Sequence, residues 1–278
     1  MIKHKKLVVF LFLIIVLVFA VLVLFNKKPH YQSYSRDNAQ ELVASEIISL
    51  NGIKEDGFTC TGVVYDPKSC SFYVGDAGKT KPDDEIFRAV IRQVSVRFDE
   101  QIRIFECYTQ FESMRDIQGV VIDNTRNIWL CSYGENLIRC IDQEENQICS
   151  HRVNKPSGIA YDSSNDTFWV LTDQYLIHFN RDFNEISKYS FRVAGQDQLF
   201  FDEKQNLIYI TAGNDYHGDS FVYTFDIDNE AFELKYILKD SFAIEGISII
   251  EDNMYIFNDG LYHDAEVPVN QVNIYHLQ

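Results

Sequence analysis

One pattern of hydrophobic and polar residues recurs five times along the chain. Each copy has three mostly apolar or aromatic residues, then in four copies an Asp, then a polar turn and a second apolar run containing an aromatic residue. The first apolar runs are residues 63–65, 120–122, 159–161, 199–201 and 247–249. Short apolar runs between polar turns predict β-strands joined as hairpins.

The spacing of the copies predicts the fold class. Equivalent positions lie 57, 39, 40 and 48 residues apart, and a period near 40 residues with several strands per unit is typical of a β-propeller. The last unit has three strands, and residues 45–51 near the other end predict its fourth. That pairing would close the ring and remove two exposed edges. We therefore predict an all-β propeller of about five four-stranded blades at residues 45–278, with six blades as the alternative.

A second kind of pattern precedes the repeats. Residues 7–25 form an uninterrupted apolar run of 19 residues, which as a helix would measure about 28 Å, close to the hydrocarbon thickness of a bilayer. A cleaved signal peptide is the alternative, but no Ala-x-Ala pattern follows the run. We predict one N-terminal transmembrane helix acting as a signal anchor, after a short cytoplasmic tail (residues 1–6) and before a linker (residues 26–44).

The charge distribution supports two compartments and excludes one class of partner. The chain has 41 acidic against 25 basic residues, a net charge of −16. Five of the lysines lie in residues 1–28, which have no acid, so the rest of the chain carries −21. Lysines before the apolar run favour a cytoplasmic N-terminus and an extracytoplasmic propeller. A nucleic-acid partner is excluded because such binding requires a basic surface.

Polar residues cluster where the second strand of each unit should end. Aligning the copies places Asp76, Tyr133, Asp173, Asn258 and Asp259 at these positions. In a propeller these loops lie on one face, together with the loops that lead into the innermost strands. Concave sites with a few converging polar groups are the usual ligand sites, although strand ends also need turn-forming residues.

The fourth and fifth units share a sharper feature. Each has a loop in which a His follows a Tyr and precedes an acid, eight residues after the strand aromatic. The loop residues considered as ligand-binding candidates are Asn214, Asp215, Tyr216, His217, Asp219, Asn258, Asp259, Tyr262, His263 and Asp264. Neighbouring blades would place both loops side by side, where His and Asp could bind a metal or a ligand, or act as an acid–base pair. The alternative is a pair of solvated loops.

The blades resemble those of known bacterial propellers. Residues 117–130 look like blades of the NHL type and the SMP-30/gluconolactonase type, and residues 244–248 are similar to blades of the SdiA-regulated propellers. The gluconolactonase resemblance implies a divalent cation held by Glu, Asn and Asp residues. Glu245 matches the Glu-Gly opening of that motif, but the Asn ligands have no clear counterparts. A metal site of His217, Glu245 and His263, holding Ca²⁺ or Zn²⁺, is the hypothesis this raises.

Six cysteines lie within the first two units. An even number outside the cytoplasm permits disulfides, and Cys140 and Cys149 face each other across a predicted hairpin. Pairing of Cys131 with Cys140 and six free thiols are the alternatives. None of the cysteine spacings is Cys-x-x-Cys, so the sequence gives no indication of a zinc site.

Together, these patterns predict the class of function but not the identity of the ligand. We expect a single-pass membrane protein whose extracytoplasmic propeller binds a protein, glycan or small molecule at its channel mouth without catalysis. No nucleophile elbow, His-Glu-x-x-His motif or phosphate loop is present. A metal-dependent hydrolase or lactonase and a structural component of a cell-envelope assembly are the alternatives.

Overall fold

The fold was obtained as a computed structural model, which describes residues 30–54, 58–78, 89–106, 117–213, 219–258 and 270–277. Contacts divide the chain into two units, Met1–Tyr31 and Gln32–Gln278, and the second contains all of the strands below. The apolar run at residues 7–25, and with it the predicted transmembrane helix, lies outside the described residues. Among the residues that are described, no helix is long and apolar enough to cross a bilayer.

Five sheets form the blades, each with four antiparallel strands, and each starts at the channel with its innermost strand. Blade 1 has β3 (Cys60–Asp66), β4 (Ser71–Asp76), β5 (Val90–Ser95) and β6 (Gln101–Phe105). Blade 2 has β7 (Ile117–Ile122), β8 (Ile128–Ser132), β9 (Leu137–Ile141) and β10 (Gln147–Arg152). Blade 3 has β11 (Pro156–Asp162), β12 (Thr167–Thr172), β13 (Tyr175–Phe179) and β14 (Glu185–Ser190).

The remaining two blades involve the N-terminal part of the folded unit. Blade 4 has β15 (Gln196–Asp202), β16 (Leu207–Ala212), β17 (Ser220–Asp226) and β18 (Ala231–Leu238), with β1 (Gln40–Leu42) added outside. Blade 5 has β19 (Ile244–Ile250), β20 (Asn253–Asn258), β21 (Gln271–His276) and β2 (Glu46–Ser49). The prediction of five four-stranded blades is therefore confirmed.

Ring closure also follows the prediction. Strand β2 pairs antiparallel with β21, with Glu46 opposite Ile274 and Ser49 opposite Gln271. The strand is shorter than the predicted 45–51, because a 3₁₀ turn (Leu50–Gly52) follows it directly. Leu50 is fully buried and packs with Phe58 and Val272, so closure is held by core packing as well as by the strand ladder.

The folded unit begins earlier than the sequence indicated. Residues 32–44, which the sequence assigned to a linker, lie on the propeller. Strand β1 pairs parallel with β18, with Gln40 opposite Tyr236, and the Tyr34 ring lies 5.3 Å from that of Tyr223. A three-residue strand is too short to show a period in the sequence. Its pairing covers the edge of blade 4, the kind of edge that proteins usually protect.

The repeated glycine marks where neighbouring inner strands approach each other. A Cβ on Gly119 would lie 2.8 Å from the carbonyl oxygen of Ser157 in the next blade, and one on Gly158 would lie 2.9 Å from that of Asp197. Each inner strand has a register shift at this point, the mark of a β-bulge. Close backbone packing around the channel, rather than ligand chemistry, therefore accounts for the glycine.

The repeated Asp stabilises the turn that follows each inner strand. Asp123 Oδ1 accepts hydrogen bonds from the backbone N–H groups of Thr125 and Asn127, both at 2.9 Å. Asp162 and Asp202 do the same for their own turns. These are Asx turns, in which the side chain replaces a backbone acceptor. The fifth copy has Ile250 instead, and there only two residues separate the strands.

Candidate functional site

The ring has two faces, which the direction of the inner strands distinguishes. The inner strands begin at the upper face and end, at the repeated Asp, at the lower face. The predicted ligand residues belong to the upper face, since Cys60 at the start of β3 lies opposite Asp76. Several of them lie outside the described residues: Asn214, Asp215, Tyr216, His217, Asp259, Tyr262, His263 and Asp264.

Two of the predicted residues do come together. The Tyr133 hydroxyl in blade 2 donates a hydrogen bond to Asp173 Oδ1 in blade 3, at 2.8 Å. The Lys155 ammonium lies 4.3 Å from the centroid of the Tyr133 ring, a cation–π distance. This places a phenol, a carboxylate and an ammonium on the upper face at the junction of two blades.

Two other predicted residues are used by the fold itself. Asp76 is buried and pairs with Arg92, whose Nη2 lies 2.6 Å from Asp76 Oδ2. Asn258 is fully buried, accepts a hydrogen bond from the Phe242 N–H at 2.8 Å and donates one to the Gln271 carbonyl at 3.1 Å. Both side chains therefore stabilise their blades. The change from apolar to polar residues at the end of a second strand could not distinguish this role from ligand binding.

Asp219 and Glu245 are the remaining described members. Asp219 forms an ion pair with Arg36 (3.1 Å), which fastens the N-terminal segment to blade 4, and another with Lys239 (3.3 Å) within blade 4. Glu245 is buried near the start of β19. Within the described ranges, no group of three or more His, Cys, Asp or Glu side chains could hold a metal. The hypothesis of a site with His217 and His263 stays a prediction, because both lie outside those ranges.

A cavity of about 390 Å³ lies in the channel at the lower face. All five inner strands line it in their second halves, and it opens between exposed residues of the turns. One apolar lining residue from each inner strand is Val64, Val121, Ala160, Phe200 and Ile249. This cavity was not predicted from the sequence, although the repeat contains the residues of its wall. The three apolar positions of the repeat form its wall, but their pattern equally predicts core packing.

The rim of the cavity is polar and internally connected. Arg126 Nη1 in blade 2 lies 2.5 Å from Asp66 Oδ1 in blade 1. Asn124 donates a hydrogen bond from Nδ2 to the Ser163 carbonyl at 3.0 Å, and Ser163 Oγ donates one to Glu203 Oε2 at 3.0 Å. The first turns of blades 1 to 4 are thus linked in sequence around the mouth.

The rim carboxylates are held in their ionised form. Burial by itself would raise the pKa of Asp123, but hydrogen bonds from Trp129, Thr125 and Asn127 and the charge of Arg181 lower it below its usual value. The indole Nε1 of Trp129 and the Arg181 Nη2 lie 2.8 Å and 2.6 Å from Asp123 Oδ2. Burial also opposes ionisation of Asp66, and hydrogen bonds from Arg126 and Ser69 lower its pKa overall.

The cysteine pair has the register that the sequence suggested. Cys140 in β9 lies opposite Cys149 in β10, whereas Cys131 lies opposite Ile138 and not opposite Cys140. The alternative pairing of Cys131 with Cys140 across the preceding hairpin is therefore disfavoured. Cys140 and Cys149 are both free thiols in the structure, so a disulfide between them stays a prediction.

Comparison with known proteins places the fold but not the family. No protein-family model and no curated protein matches the sequence. Similar solved structures include RRP9 WD40 repeats, with 14% identity, a TM-score of 0.47 and coverage of 78% of this chain and 62% of that one. Hydrazine synthase from Kuenenia stuttgartiensis has 9% identity, a TM-score of 0.46 and coverage of 83% and 58%.

A nidogen/laminin complex has 12% identity to this chain, a TM-score of 0.50 and coverage of 73% of each chain. This chain spans only 62% of the RRP9 structure and 58% of the hydrazine synthase structure. Sequence identities this low show the fold alone. The five sheets, closed into a ring, make this chain a β-propeller, and the similarity to the nidogen/laminin structure agrees with this fold. The finer resemblance to NHL-type and SMP-30-type blades stays a prediction.

Proposed function

We propose that this protein is a membrane-anchored, extracytoplasmic β-propeller that binds a small ligand in its channel without catalysing a reaction. The observation that supports this most is the lower-face cavity of about 390 Å³. Small-molecule sites are typically concave, about 300–1,000 Å³ in volume and mostly apolar, with a few placed polar groups. The apolar wall and the linked polar rim fit that description.

The electrostatics of the rim favour binding over catalysis. A general acid needs a carboxyl whose pKa is raised towards the working pH. The pKa values of Asp66 and Asp123 are shifted in the opposite direction, because each accepts several hydrogen bonds and pairs with an arginine. Such carboxylates hold turns and shape a mouth, and they are poor proton donors at neutral pH.

The membrane part of the proposal rests on the sequence. The apolar run at residues 7–25, with lysines before it, supports a single-pass anchor with a cytoplasmic N-terminus. Reporter fusions at residue 6 and at the C-terminus test this. We expect activity of a cytoplasmic reporter only at the first position and of an extracytoplasmic reporter only at the second. The reverse pattern, or release by alkaline carbonate, would contradict it.

A second binding function at the upper face is favoured by the Tyr133–Asp173 hydrogen bond, which joins two predicted ligand residues. The adjacent Lys155 adds a cation. Phenol, carboxylate and ammonium groups in one place suit a protein or glycan partner. Partner capture from cell envelopes by the wild-type protein but not by the Tyr133→Ala/Asp173→Ala variant would support this function.

Photolabelling tests the channel site in the intact protein. The probe is an aryl-diazirine benzamide, applied to the full chain in membranes, and the labelled residues are mapped by mass spectrometry. We expect label on the inner strands β3, β7, β11, β15 and β19, competed by excess benzamide. The Asn124→Trp variant, which narrows the mouth, should lose most of it. The Asn184→Trp control, on an exposed turn of blade 3, should not. Label spread evenly over the surface would overturn the proposal.

A further inference from the structure

We propose that the cavity takes a small amphipathic anion, with its apolar body in the channel and its anionic head group at Lys68. This inference rests on the proposed function, because it names the class of ligand for the same site. It follows from the shape of the mouth, the pairing of the charges around it and the closed inner end of the channel.

The mouth is asymmetric. The first turns of blades 1 to 4 are tied together through Arg126–Asp66, Asn124–Ser163 and Ser163–Glu203. The corresponding hairpin of blade 5 has two turn residues, where that of blade 4 has four. The rim is therefore lower at blade 5, between the turn that bears Glu203 and the turn that bears Lys68. A ligand can enter through this gap without breaking a link of the rim.

Around the mouth of the cavity, a positive charge is available to a ligand and the negative charges are already paired. The carboxylates of Asp66, Asp123 and Glu203 all accept hydrogen bonds from neighbouring side chains. Arg126 is held by Asp66 and by the Tyr73 hydroxyl. Lys68 lines the cavity and is exposed, and within the described part of the chain its ammonium pairs with no acid. An anion therefore meets a free donor, whereas a cation would compete with bonds already made.

The inside of the cavity requires an apolar and short ligand. The wall consists mainly of Val, Ile, Leu, Ala and aromatic residues from all five inner strands. Towards the upper face, Gln198 donates a hydrogen bond from Nε2 to the Gln118 carbonyl at 2.6 Å, joining blade 4 to blade 2. This bridge, next to the wall residues Leu199 and Val120, limits how far a ligand can extend. A single aromatic ring or a short acyl chain with one charged end fits these limits.

Two matched probes test the charge of the head group. An aryl-diazirine benzoate and its uncharged benzamide are titrated against the full chain in membranes at pH 7, and half-saturation of inner-strand labelling is measured. For wild type we expect benzoate to half-saturate at a roughly three- to fivefold lower concentration, the effect of one exposed ion pair. Lys68→Gln should remove this advantage without changing benzamide labelling, and Lys68→Arg should keep it.

The control is Lys235→Gln, which removes an equally charged side chain from β18, away from the cavity. It should leave both titrations unchanged. Comparing each probe between variants cancels differences in how the probes partition into the membrane. If benzamide labels the channel but Lys68→Gln has no effect on benzoate, the ligand class is wrong and the proposed function stands. If neither probe labels the inner strands, the proposed function itself is overturned.

Discussion

Gln198 donates a hydrogen bond from its side-chain amide to the backbone carbonyl of Gln118, with 2.6 Å between nitrogen and oxygen. The two residues belong to the inner strands of blades 4 and 2, which are not neighbours in the ring. Gln198 stands where the four other copies of the repeat have Gly62, Gly119, Gly158 and Gly246. The departure from the repeat therefore places a polar bridge in the channel, buried to 3% exposure.

The first prediction concerns this bridge. Gln198→Ala should lower the free energy of unfolding by about 0.5–1.5 kcal/mol, because it removes the partly buried hydrogen bond to the Gln118 carbonyl. Gly119→Val is the comparison at an ordinary copy of the repeat, where the added side chain would meet the Ser157 carbonyl, and it should cost at least as much. Chemical unfolding of residues 30–278 followed by tryptophan fluorescence measures both. A stable Gly119→Val protein would contradict the close approach of these strands.

The second prediction is a pH dependence at Asp123. Its pKa is lowered in the folded state, so its contribution is fully present above the unfolded pKa of about 4 and is lost as the pH falls through the folded value. Asp123→Asn should therefore cost about 2–3 kcal/mol at pH 7, and this difference should shrink below pH 4. Asp142→Asn, in a turn with backbone partners but no arginine, should have a smaller effect. Equal losses in the two variants would argue against the Trp129 and Arg181 contacts.

The third prediction concerns the segment before β2. The Tyr34 ring lies 5.3 Å from Tyr223 and 6.1 Å from Phe191, and burial raises the pKa of Tyr34 to about 12. Tyr34→Ala should therefore destabilise residues 30–278 by about 2–3 kcal/mol. The exposed Ser33→Ala variant should have almost no effect. A fragment starting at residue 45 should be less stable than one starting at residue 30, and equal melting temperatures would show that this segment does not stabilise the propeller.

The fourth prediction concerns the cysteine pair. Burial raises the pKa of Cys149, and burial together with the nearby Cys149 raises that of Cys140. Because the thiolate is the reactive form, we expect Cys140–Cys149 to form slowly under mild oxidant at pH 7 and faster at pH 9. Peptide mapping by mass spectrometry follows the bond, and Cys149→Ser is the control. A Cys131–Cys140 peptide would contradict the register of β9.

The fifth prediction concerns the upper face. Tyr133→Phe and Asp173→Asn should each change stability by less than about 1 kcal/mol, because their shared hydrogen bond is accessible to water. A double-mutant cycle should give a coupling of about 0.5–1 kcal/mol. Zero coupling would show that the bond is not formed in solution. Small effects on stability also make these variants suitable for the partner-capture experiment.

The candidate site was predictable from sequence only in part. Alignment of the repeats located Asp76, Tyr133, Asp173 and Asn258 at one face, since a strand end is a local property. It could not separate Asp76 and Asn258, which bind Arg92 and backbone groups, from Tyr133 and Asp173, which remain accessible. Whether a polar residue at a strand end is structural or accessible depends on its burial, and burial depends on strands that are distant in sequence.

The sequence by itself predicted a propeller of about five blades, with six as the alternative, together with its hairpins and a closing strand within residues 45–51. All three follow from short apolar runs between polar turns and from a repeat near 40 residues, both of which are visible along the chain. The tertiary structure decided the rest. The lower-face cavity, the Arg126–Asp66 and Tyr133–Asp173 contacts and the docking of β1 on blade 4 arise only when five twisted sheets close into a ring. Closure brings together residues that no short-range pattern relates.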